Sequence, residues 1–223
     1  MTRQIAEFVD LTEPQQRVLQ RLEQLPRFTD IFFFTGGTLL KALGLVPRQS
    51  NDLDFFSFPA IDGRSLTEAL GKVHQVLVDE FAGQKILNTD RGFMHEPSGM
   101  TIDIVADGVP PIDAYVPYGH LKTASLKDIA ASKASAICSR DELKDYIDIA
   151  FLTKQQNWQL RDLAALAEKK FQLGTTTEEK LFAELVAKQE QSNIPAEIFL
   201  RDQQKNIQLV HDQIARLISQ TSL

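Results

Sequence analysis

One stretch, residues 31–58, constrains the fold of this chain more than any other. It reads IFFFTGGTLLKALGLVPRQSNDLDFFSF and opens with an apolar run of residues that favour β-structure, which predicts a buried strand. Gly36 and Gly37 end that strand, and the residues after them predict a short helix. A loop then leads to a second predicted strand at 53–58. The ordered combination of strand, Gly-Gly-Thr turn, helix, loop and Asp-x-Asp strand is much more specific than any one of its parts.

Two carboxylates stand at the start of the second strand. Asp52 and Asp54 are two residues apart, and alternate residues of a strand point to the same face of a sheet. Leu53 and Phe55 then point the other way, into the core. Two hard oxygen ligands at this spacing suit Mg²⁺ (or Mn²⁺) and leave coordination positions for water and substrate phosphates. The pair therefore predicts a divalent metal site.

Asp103 is a candidate third metal ligand. In the segment TIDIV, Ile102 and Ile104 are expected to face the core, and Asp103 the opposite side. An isolated acid in an apolar strand costs desolvation free energy unless it is paired or binds a metal. The alternative is a carboxylate that caps a backbone group or forms an ion pair at the edge of the sheet.

The Gly-Gly-Thr turn predicts a phosphate site. Glycine lets the backbone adopt a positive φ and approach a phosphate closely. The helix after Gly36 and Gly37 offers unpaired N–H groups, and Thr38 can add a hydroxyl donor. A plain strand-to-helix turn is the alternative, and the Asp-x-Asp strand downstream favours the phosphate.

The rest of the pattern predicts an α+β protein in two parts. The segments QKILN and GFMHE flank a TDRG turn and predict a hairpin, and residues 112–116 predict a further short strand. From Ser125 onward the apolar periodicity is helical. We therefore expect a mixed α/β domain at residues 1–122 and a helical domain at 123–223.

Composition indicates the cellular compartment and restricts the classes of partner. Cys138 is the single cysteine, which excludes an internal disulfide and favours a cytoplasmic protein. No apolar stretch predicts a signal peptide or a membrane span. The net charge of −6 lies in residues 1–120, which hold ten basic and sixteen acidic residues. A typical nucleic-acid-binding protein has a basic excess, so any RNA contact must use local basic patches.

These motifs resemble those of a known family. The stretch FFFTGGTLLKALGLVPRQSNDLDFF resembles the core signature of the nucleotidyltransferase superfamily. More narrowly, GGT followed by R-x-S-x-D-L-D-F-F is similar to the AbiEii/AbiGii-type toxins of abortive-infection toxin–antitoxin pairs. The later stretch IAASKASAICSRDELKDYIDIAFL looks like the lysine-bearing helix and the K-D-x-x-D helix of that family. This chain has Gly-Gly-Thr where the superfamily often has Gly-Ser.

The resemblance implies a fold, a reaction and a set of residues. The fold would be a nucleotidyltransferase-like mixed β-sheet domain with flanking helices, followed by a helical domain. Asp52 and Asp54 would bind the metal, Lys133 would contact the triphosphate of a nucleoside triphosphate, and Asp145, with Asp148 close behind, would match the acids of the last motif. The acceptor would be RNA, such as the 3′ end of tRNA, and the partner protein an antitoxin.

The residues themselves leave several of these roles open. Lys133 lies among alanines and serines, where a lysine either binds an anion or lies on the surface. Asp145 and Asp148 can orient Lys133 or Arg140, or form a solvated ion-pair face. Arg48 can grip a phosphate with its fork, or brace its loop by pairing with Asp52 or Asp54.

Two predicted sets of site residues follow. The catalytic set is Asp52, Asp54, Asp103, Lys133 and Asp145. The substrate-binding set is Gly36, Gly37, Thr38, Arg48, Ser50, Lys133 and Asp148.

The sequence favours an enzyme but allows other functions. A metal-dependent nucleotidyltransferase is the first hypothesis, with an RNA hydroxyl as acceptor. A protein hydroxyl is the other acceptor. A non-catalytic module on the same fold, binding a nucleotide or a partner, is the second hypothesis. A metal-dependent sugar transferase also uses an Asp-x-Asp motif, but the Gly-Gly-Thr turn upstream speaks against that reading.

Overall fold

The computed structural model describes residues 4–59, 61–106, 109–174, 176–191 and 193–220. The chain divides into two compact units. The first unit comprises Met1–Gly44, Ser50–Pro110 and Ala114–Ala124, and the second comprises Leu45–Gln49, Pro111–Asp113 and Ser125–Leu223. The division predicted from sequence after residue 122 stays a prediction. In the part of the chain that the structure describes, no helix is long and apolar enough to cross a membrane.

The first unit is built on a mixed sheet, in which seven strands lie within the described residues. The strands are β1 (Phe32–Thr35), β2 (Asp52–Ser57), β3 (Ile86–Thr89), β4 (Gly92–His95), β5 (Met100–Val105), β6 (Val116–Tyr118) and β7 (Leu121–Thr123). Their order across the sheet is β3-β4-β5-β2-β1-β7-β6. The pairs β2–β5 and β1–β7 are parallel, and the other neighbours are antiparallel. The central strands therefore come from distant parts of the chain.

Four helices accompany the sheet within the described part of the first unit. They are α1 (Glu13–Glu23), α2 (Pro26–Thr29), α3 (Gly36–Ala42) and α4 (Gly63–Glu80). Helix α1 begins at a capping box in which Thr12 and Gln15 satisfy each other's backbone N–H groups. Asp62 caps α4 by accepting hydrogen bonds from the backbone of Arg64 and Ser65.

Aromatic rings fill the core beneath the sheet. Phe28, Phe32, Phe34 and Phe55 are all fully buried. The ring of Phe55 lies 4.9 Å from that of Phe28 and 5.3 Å from that of Phe34, between ring centres. Fully burying one such side chain stabilises a fold by roughly 1.5–3 kcal/mol, so this cluster fixes β1 and β2 against the helices.

The second unit is helical. Its helices in the described ranges are α5 (Leu126–Ile137), α6 (Leu143–Gln156), α7 (Leu160–Phe171), α8 (Thr177–Gln191) and α9 (Gln203–Ser219). Ser125 caps α5 by accepting a hydrogen bond from the backbone N–H of Asp128. Asn157 ends α6 in the left-handed conformation that asparagine tolerates.

The predicted α+β class is confirmed, with two local differences. Helix α3 begins at Gly36, so the glycines belong to the helix instead of preceding it. The strand predicted at 112–116 is wrong for most of its length, because the strand begins at Val116 and is followed by β7, which the sequence did not predict. Strands of three residues carry too short an alternation to be recognised by periodicity.

Candidate active site

Register places two of the predicted carboxylates side by side. Across the sheet, Thr35 of β1 pairs with Asp54 of β2, Asp54 with Asp103 of β5, Asp103 with Gly92 of β4, and Gly92 with Thr89 of β3. We call these five residues the carboxylate row. Neighbouring strands lie about 4.8 Å apart, and paired residues point to the same face. The carboxylates of Asp54 and Asp103 therefore stand next to each other on one face of the sheet.

Asp52 stands on the same face, in the neighbouring row. Asp52 pairs with Thr101, and the hydroxyl of Thr101 donates a hydrogen bond of 2.9 Å to Oδ1 of Asp52. Burial alternates along β2 and β5, and the acids are half-buried while Leu53, Phe55 and the isoleucines beside Asp103 are buried. The period-two prediction for these three acids matches the observed faces.

Gly36 brings the glycine turn against Asp54. Its φ is +80°, in the left-handed region that favours glycine. A Cβ atom at this position would overlap the carboxylate of Asp54 and would lie 2.7 Å from Cγ of that residue. The turn and the carboxylate thus approach as closely as backbone and side chain allow, and any larger residue at position 36 displaces Asp54.

Ser50 anchors the loop that leads into β2. Its carbonyl oxygen accepts hydrogen bonds from Nζ of Lys41 at 2.6 Å and from Nε2 of Gln15 at 3.0 Å. Its hydroxyl accepts a hydrogen bond of 2.8 Å from Oγ1 of Thr38. Thr38 and Lys41 are buried and Ser50 is half-buried, so these bonds are partly shielded from water. The buried contacts fix the backbone two residues before Asp52.

An open cleft extends over the carboxylate face of the first unit. Its volume is about 350 Å³. Its lining residues are Asp52, Thr89, Asp90, Arg91, Thr101 and Asp103, and we call it the carboxylate cleft. It exposes the carboxylates to a ligand that approaches from solvent.

The donor set suits a hard divalent cation that is shared with a substrate. Among the described residues, no three His, Cys, Asp or Glu side chains are grouped so that they could hold a metal ion by themselves. Mg²⁺ is usually held by one or two carboxylates together with water and substrate phosphates, and not by an all-protein cage. Asp52 and Asp54 on one strand, with Asp103 beside Asp54, provide carboxylate oxygens of this kind. The residues present therefore fit Mg²⁺ or Mn²⁺.

The remaining predicted residues lie in the second unit, where they form a buried charge network. Nζ of Lys133 lies 2.7 Å from Oδ1 of Asp145 and 2.8 Å from Oδ2 of Asp148. Both aspartates are fully buried, and Lys133 is only 8% exposed, so Lys133 is not a surface lysine. Nε of Arg140 lies 2.9 Å from Oδ2 of Asp145. The two acids thus orient both cations, as one of the sequence-based alternatives proposed.

Arg48 completes the network with a two-pronged ion pair. Its Nε and Nη2 donate to Oδ1 and Oδ2 of Asp148 at 2.6 and 2.7 Å. Neither alternative drawn from the sequence named this partner. Backbone hydrogen bonds from Gln49 to Ile198 and from Leu200 to Pro47 hold the chain on both sides of Arg48.

Mutual neutralisation shifts the pKa values of the buried groups. Burial raises the pKa of Asp148, but the charges of Lys133 and Arg48 outweigh burial and hold it below its ordinary value of 3.8. Burial lowers the pKa of Lys133, but the charges of Asp148 and Asp145 raise it above its ordinary value. Both groups are therefore charged at neutral pH.

The structure thus assigns the predicted site residues to two places. Gly36, Gly37, Thr38, Ser50, Asp52, Asp54 and Asp103 lie in the first unit, and Arg48, Lys133, Asp145 and Asp148 lie in the second. Their roles in catalysis and substrate binding stay predictions.

Sequence reasoning missed four of the six residues that line the carboxylate cleft, which are Thr89, Asp90, Arg91 and Thr101. Thr101 carried a usable signal, because it lies two positions before Asp103 and so shares its face. For Arg91 the sequence indicated only a hairpin turn. Its position beside the carboxylates depends on strand order, which the local pattern does not show.

Comparison with known proteins gives one family match. The family described as "Nucleotidyl transferase AbiEii toxin, Type IV TA system" matches residues 17–217. An uncharacterized protein of Aquifex aeolicus strain VF5, aq_aa25, is 28% identical over 165 residues, which cover 72% of this chain and 76% of that protein.

Two solved structures from Helicobacter pylori share the fold. JHP933 has 16% sequence identity and a TM-score of 0.50, and the match covers 94% of both chains. A second structure, described as that of a candidate nucleotidyltransferase, also has 16% identity and a TM-score of 0.50, covering 94% of this chain and 96% of its own. Together with the family match, these structures confirm the predicted nucleotidyltransferase-like fold.

Proposed function

We propose that this chain, which belongs to the AbiEii nucleotidyltransferase toxin family, transfers a nucleoside monophosphate from a nucleoside triphosphate to a hydroxyl group. The proposed acceptor is RNA, such as the 3′ end of tRNA, and the proposed role is that of the toxin in a toxin–antitoxin pair. The single observation that carries the reaction is the carboxylate row, in which Asp54 and Asp103 are paired beside Gly36, with Asp52 on the same face.

The proposed reaction is a displacement at the α-phosphorus of the nucleoside triphosphate. The acceptor oxygen attacks the α-phosphorus, a new P–O bond forms, and the bond from the α-phosphorus to the oxygen that bridges to the β-phosphate breaks. Pyrophosphate leaves with that electron pair, and the proton of the acceptor hydroxyl must go to a base. Asp103 is proposed as that base, since it lies in the open cleft next to Asp54.

The carboxylates on the first unit are proposed to hold the cation of the reaction. Asp52, Asp54 and Asp103 would bind Mg²⁺ or Mn²⁺, which supplies charge neutralisation at the phosphates when it is bound. Thr101 keeps the Asp52 carboxylate oriented through its hydrogen bond of 2.9 Å. The Gly36–Gly37 turn, which lies against Asp54, is the proposed place of the triphosphate.

The test is incorporation of label from each of the four α-³²P nucleoside triphosphates into total RNA and into lysate protein. Asp52→Asn is expected to lower incorporation by at least about a hundredfold, because a metal ligand is worth several kcal/mol in the transition state. Its melting temperature should stay close to that of the wild type, since Asp52 is only half-buried.

Asp79→Asn is the matched control, because Asp79 is an exposed acid of the first unit that does not line the carboxylate cleft. Absence of incorporation by the wild type would reject the proposed function, and incorporation by Asp52→Asn at the level of Asp79→Asn would reject the carboxylates as its site. Label in protein alone would reject RNA as the acceptor and retain the reaction.

A further inference from the structure

The carboxylate cleft extends to one side of the acids. The carboxylate row ends at Thr35 on β1, where Gly36 follows, and at Thr89 on β3, where the turn Asp90–Arg91 follows. The cleft is lined by residues of β2, β3 and β5 and by that turn, and β1 contributes no lining residue. The cleft therefore leads from the acids toward the hairpin, on the side opposite the glycine turn.

The hairpin turn is fixed by backbone contacts beside Asp103. The carbonyl of Arg91 accepts a hydrogen bond of 2.8 Å from the backbone N–H of Ile104. Gly92 pairs with Asp103, and a Cβ atom on Gly92 would overlap the carbonyl oxygen of Ile102. Because Gly92 has no side chain, β4 can approach β5 closely at Asp103, and Arg91 lines the cleft at this point.

Arg91 differs from the other arginines of the first unit. Within the described part of that unit, Arg17, Arg21, Arg27 and Arg64 each lie within 4.0 Å of a glutamate carboxylate oxygen. Arg91 is exposed and makes no ion pair with any described residue. Its charge is thus available to a ligand.

Charge in the carboxylate cleft restricts what that ligand can be. Three of its six lining residues are acids, and Arg91 is the one cation among them, all six being described residues. The cation proposed at Asp52, Asp54 and Asp103 would offset part of the acidic charge, and Arg91 supplies the protein cation of the cleft that a phosphate of the acceptor can meet. A guanidinium presents a planar fork that matches two phosphate oxygens.

We infer that Arg91 binds a backbone phosphate of an RNA acceptor and thereby places its terminal hydroxyl at Asp103. This inference rests on the proposed function and names the acceptor side of the same site. An RNA 3′ end always carries a phosphate one nucleotide from its last hydroxyl, whereas a serine or tyrosine hydroxyl has no such neighbour. The geometry therefore favours RNA over a protein acceptor.

The first measurement is equilibrium binding, which does not depend on catalysis. A fluorescent RNA hairpin with an unpaired CCA 3′ end is titrated with the full chain, without nucleotide, over a range of salt concentrations. Arg91→Ala is expected to weaken binding about tenfold, the scale of one charge-assisted hydrogen-bonded contact. The slope of log K against log salt should become shallower by about 0.7, the value for one phosphate contact to a single strand.

Arg91→Lys and Arg64→Ala are the matched variants. Lysine keeps the charge and loses the fork, so it should keep the salt slope and recover part of the affinity. Arg64 is exposed in the same unit and does not line the cleft, so Arg64→Ala should bind like the wild type. Absence of RNA binding by the wild type, or equal binding and salt slope in Arg91→Ala, overturns the inference.

The second measurement separates this inference from the proposed function. In turnover with the same hairpin, Arg91→Ala should raise the KM for RNA about tenfold and leave the KM for the triphosphate within twofold. If Asp52→Asn abolishes incorporation while Arg91→Ala leaves the KM for RNA unchanged, Arg91 is excluded and the reaction stands. If Asp52→Asn retains incorporation at the wild-type level, the assignment of the reaction to the carboxylate row is excluded. Transfer to protein alone, at a rate independent of Arg91, also overturns the inference.

Discussion

The two units use aspartate in opposite ways. In the first unit Asp52, Asp54 and Asp103 are half-buried and lie on an open face of the sheet. In the second unit Asp145 and Asp148 are fully buried, and each contacts two cationic side chains. The first set faces solvent, and the second is neutralised by the protein itself.

This difference predicts that the acids of the first unit serve ligand binding and that those of the second unit serve folding. Removing one partner from a buried ion pair leaves an uncompensated charge in a medium of low dielectric constant, which is strongly destabilising. A carboxylate on an open face keeps part of its hydration, and its replacement disturbs the fold little. The acids of the first unit can therefore be dedicated to a ligand, while those of the second unit hold helices α5 and α6 and the Arg48 segment together.

The largest expected effect is on the buried network. Asp148→Ala leaves Arg48 and Lys133 without their shared carboxylate, and both cations are less than 9% exposed. We expect the free energy of unfolding to fall by about 3–5 kcal/mol. Urea unfolding followed by circular dichroism measures the change.

Asp113→Ala is the control for that loss. Asp113 is 45% exposed and pairs with Lys127, so its removal should cost less than about 1 kcal/mol. Equal stability of the Asp148 and Asp113 variants would show that the buried network does not stabilise the second unit.

An effect of intermediate size on the free energy of unfolding is expected when the pH is lowered. Because the pKa of Asp148 is lowered on folding, its charge contributes stability that is fully present above the unfolded value of 3.8. That contribution is lost as the pH falls through the lower pKa of the folded state. The difference in unfolding free energy between the wild type and Asp148→Asn should be constant from pH 7 to 5 and narrow by about 1 kcal/mol by pH 3. A difference that is the same at pH 7 and pH 3 contradicts the assignment.

The smallest effect is expected on the open face. Thr101→Val removes the hydroxyl that donates to Asp52 and preserves the shape of the side chain. Stability should change by about 1 kcal/mol or less, because water can replace the lost donor. Nucleotidyl transfer should fall about fivefold, because Asp52 loses its orientation and keeps its charge.

Thr67→Val, on an exposed face of α4, is the matched control. A loss of transfer in Thr101→Val as large as that in Asp52→Asn would mean that Thr101 does more than orient its neighbour.

Sequence patterns predicted those structural features whose physical cause lies within one strand or one turn. The alternation of polar and apolar residues in NDLDFF and TIDIV predicts the faces of Asp52, Asp54 and Asp103, because side chains of a strand alternate whatever the strand pairs with. The Gly-Gly turn predicts a positive φ, and Gly36 has a φ of +80°, whereas the phosphate predicted there stays a prediction. The α+β class follows from the same periodicities.

Contacts between distant segments could not be predicted in this way. Arg48 and Asp148 are 100 positions apart, and no spacing in the chain indicates that they pair. Arg91 reaches the carboxylate cleft only because β4 lies beside β5, which is a property of strand order. The sequence predicted the β3–β4 hairpin correctly, but no periodicity in the sequence indicates which strand lies beside β4.

The carboxylate row has a consequence for synthesis of the chain. Its aspartates come from β2 and β5, which pair in parallel and are separated by α4 and the β3–β4 hairpin. Until a ribosome has translated Met100–Val105, Asp54 has no Asp103 to stand beside. A truncated product that ends before β5 would therefore lack the paired acids, however well its own N-terminal helices had folded.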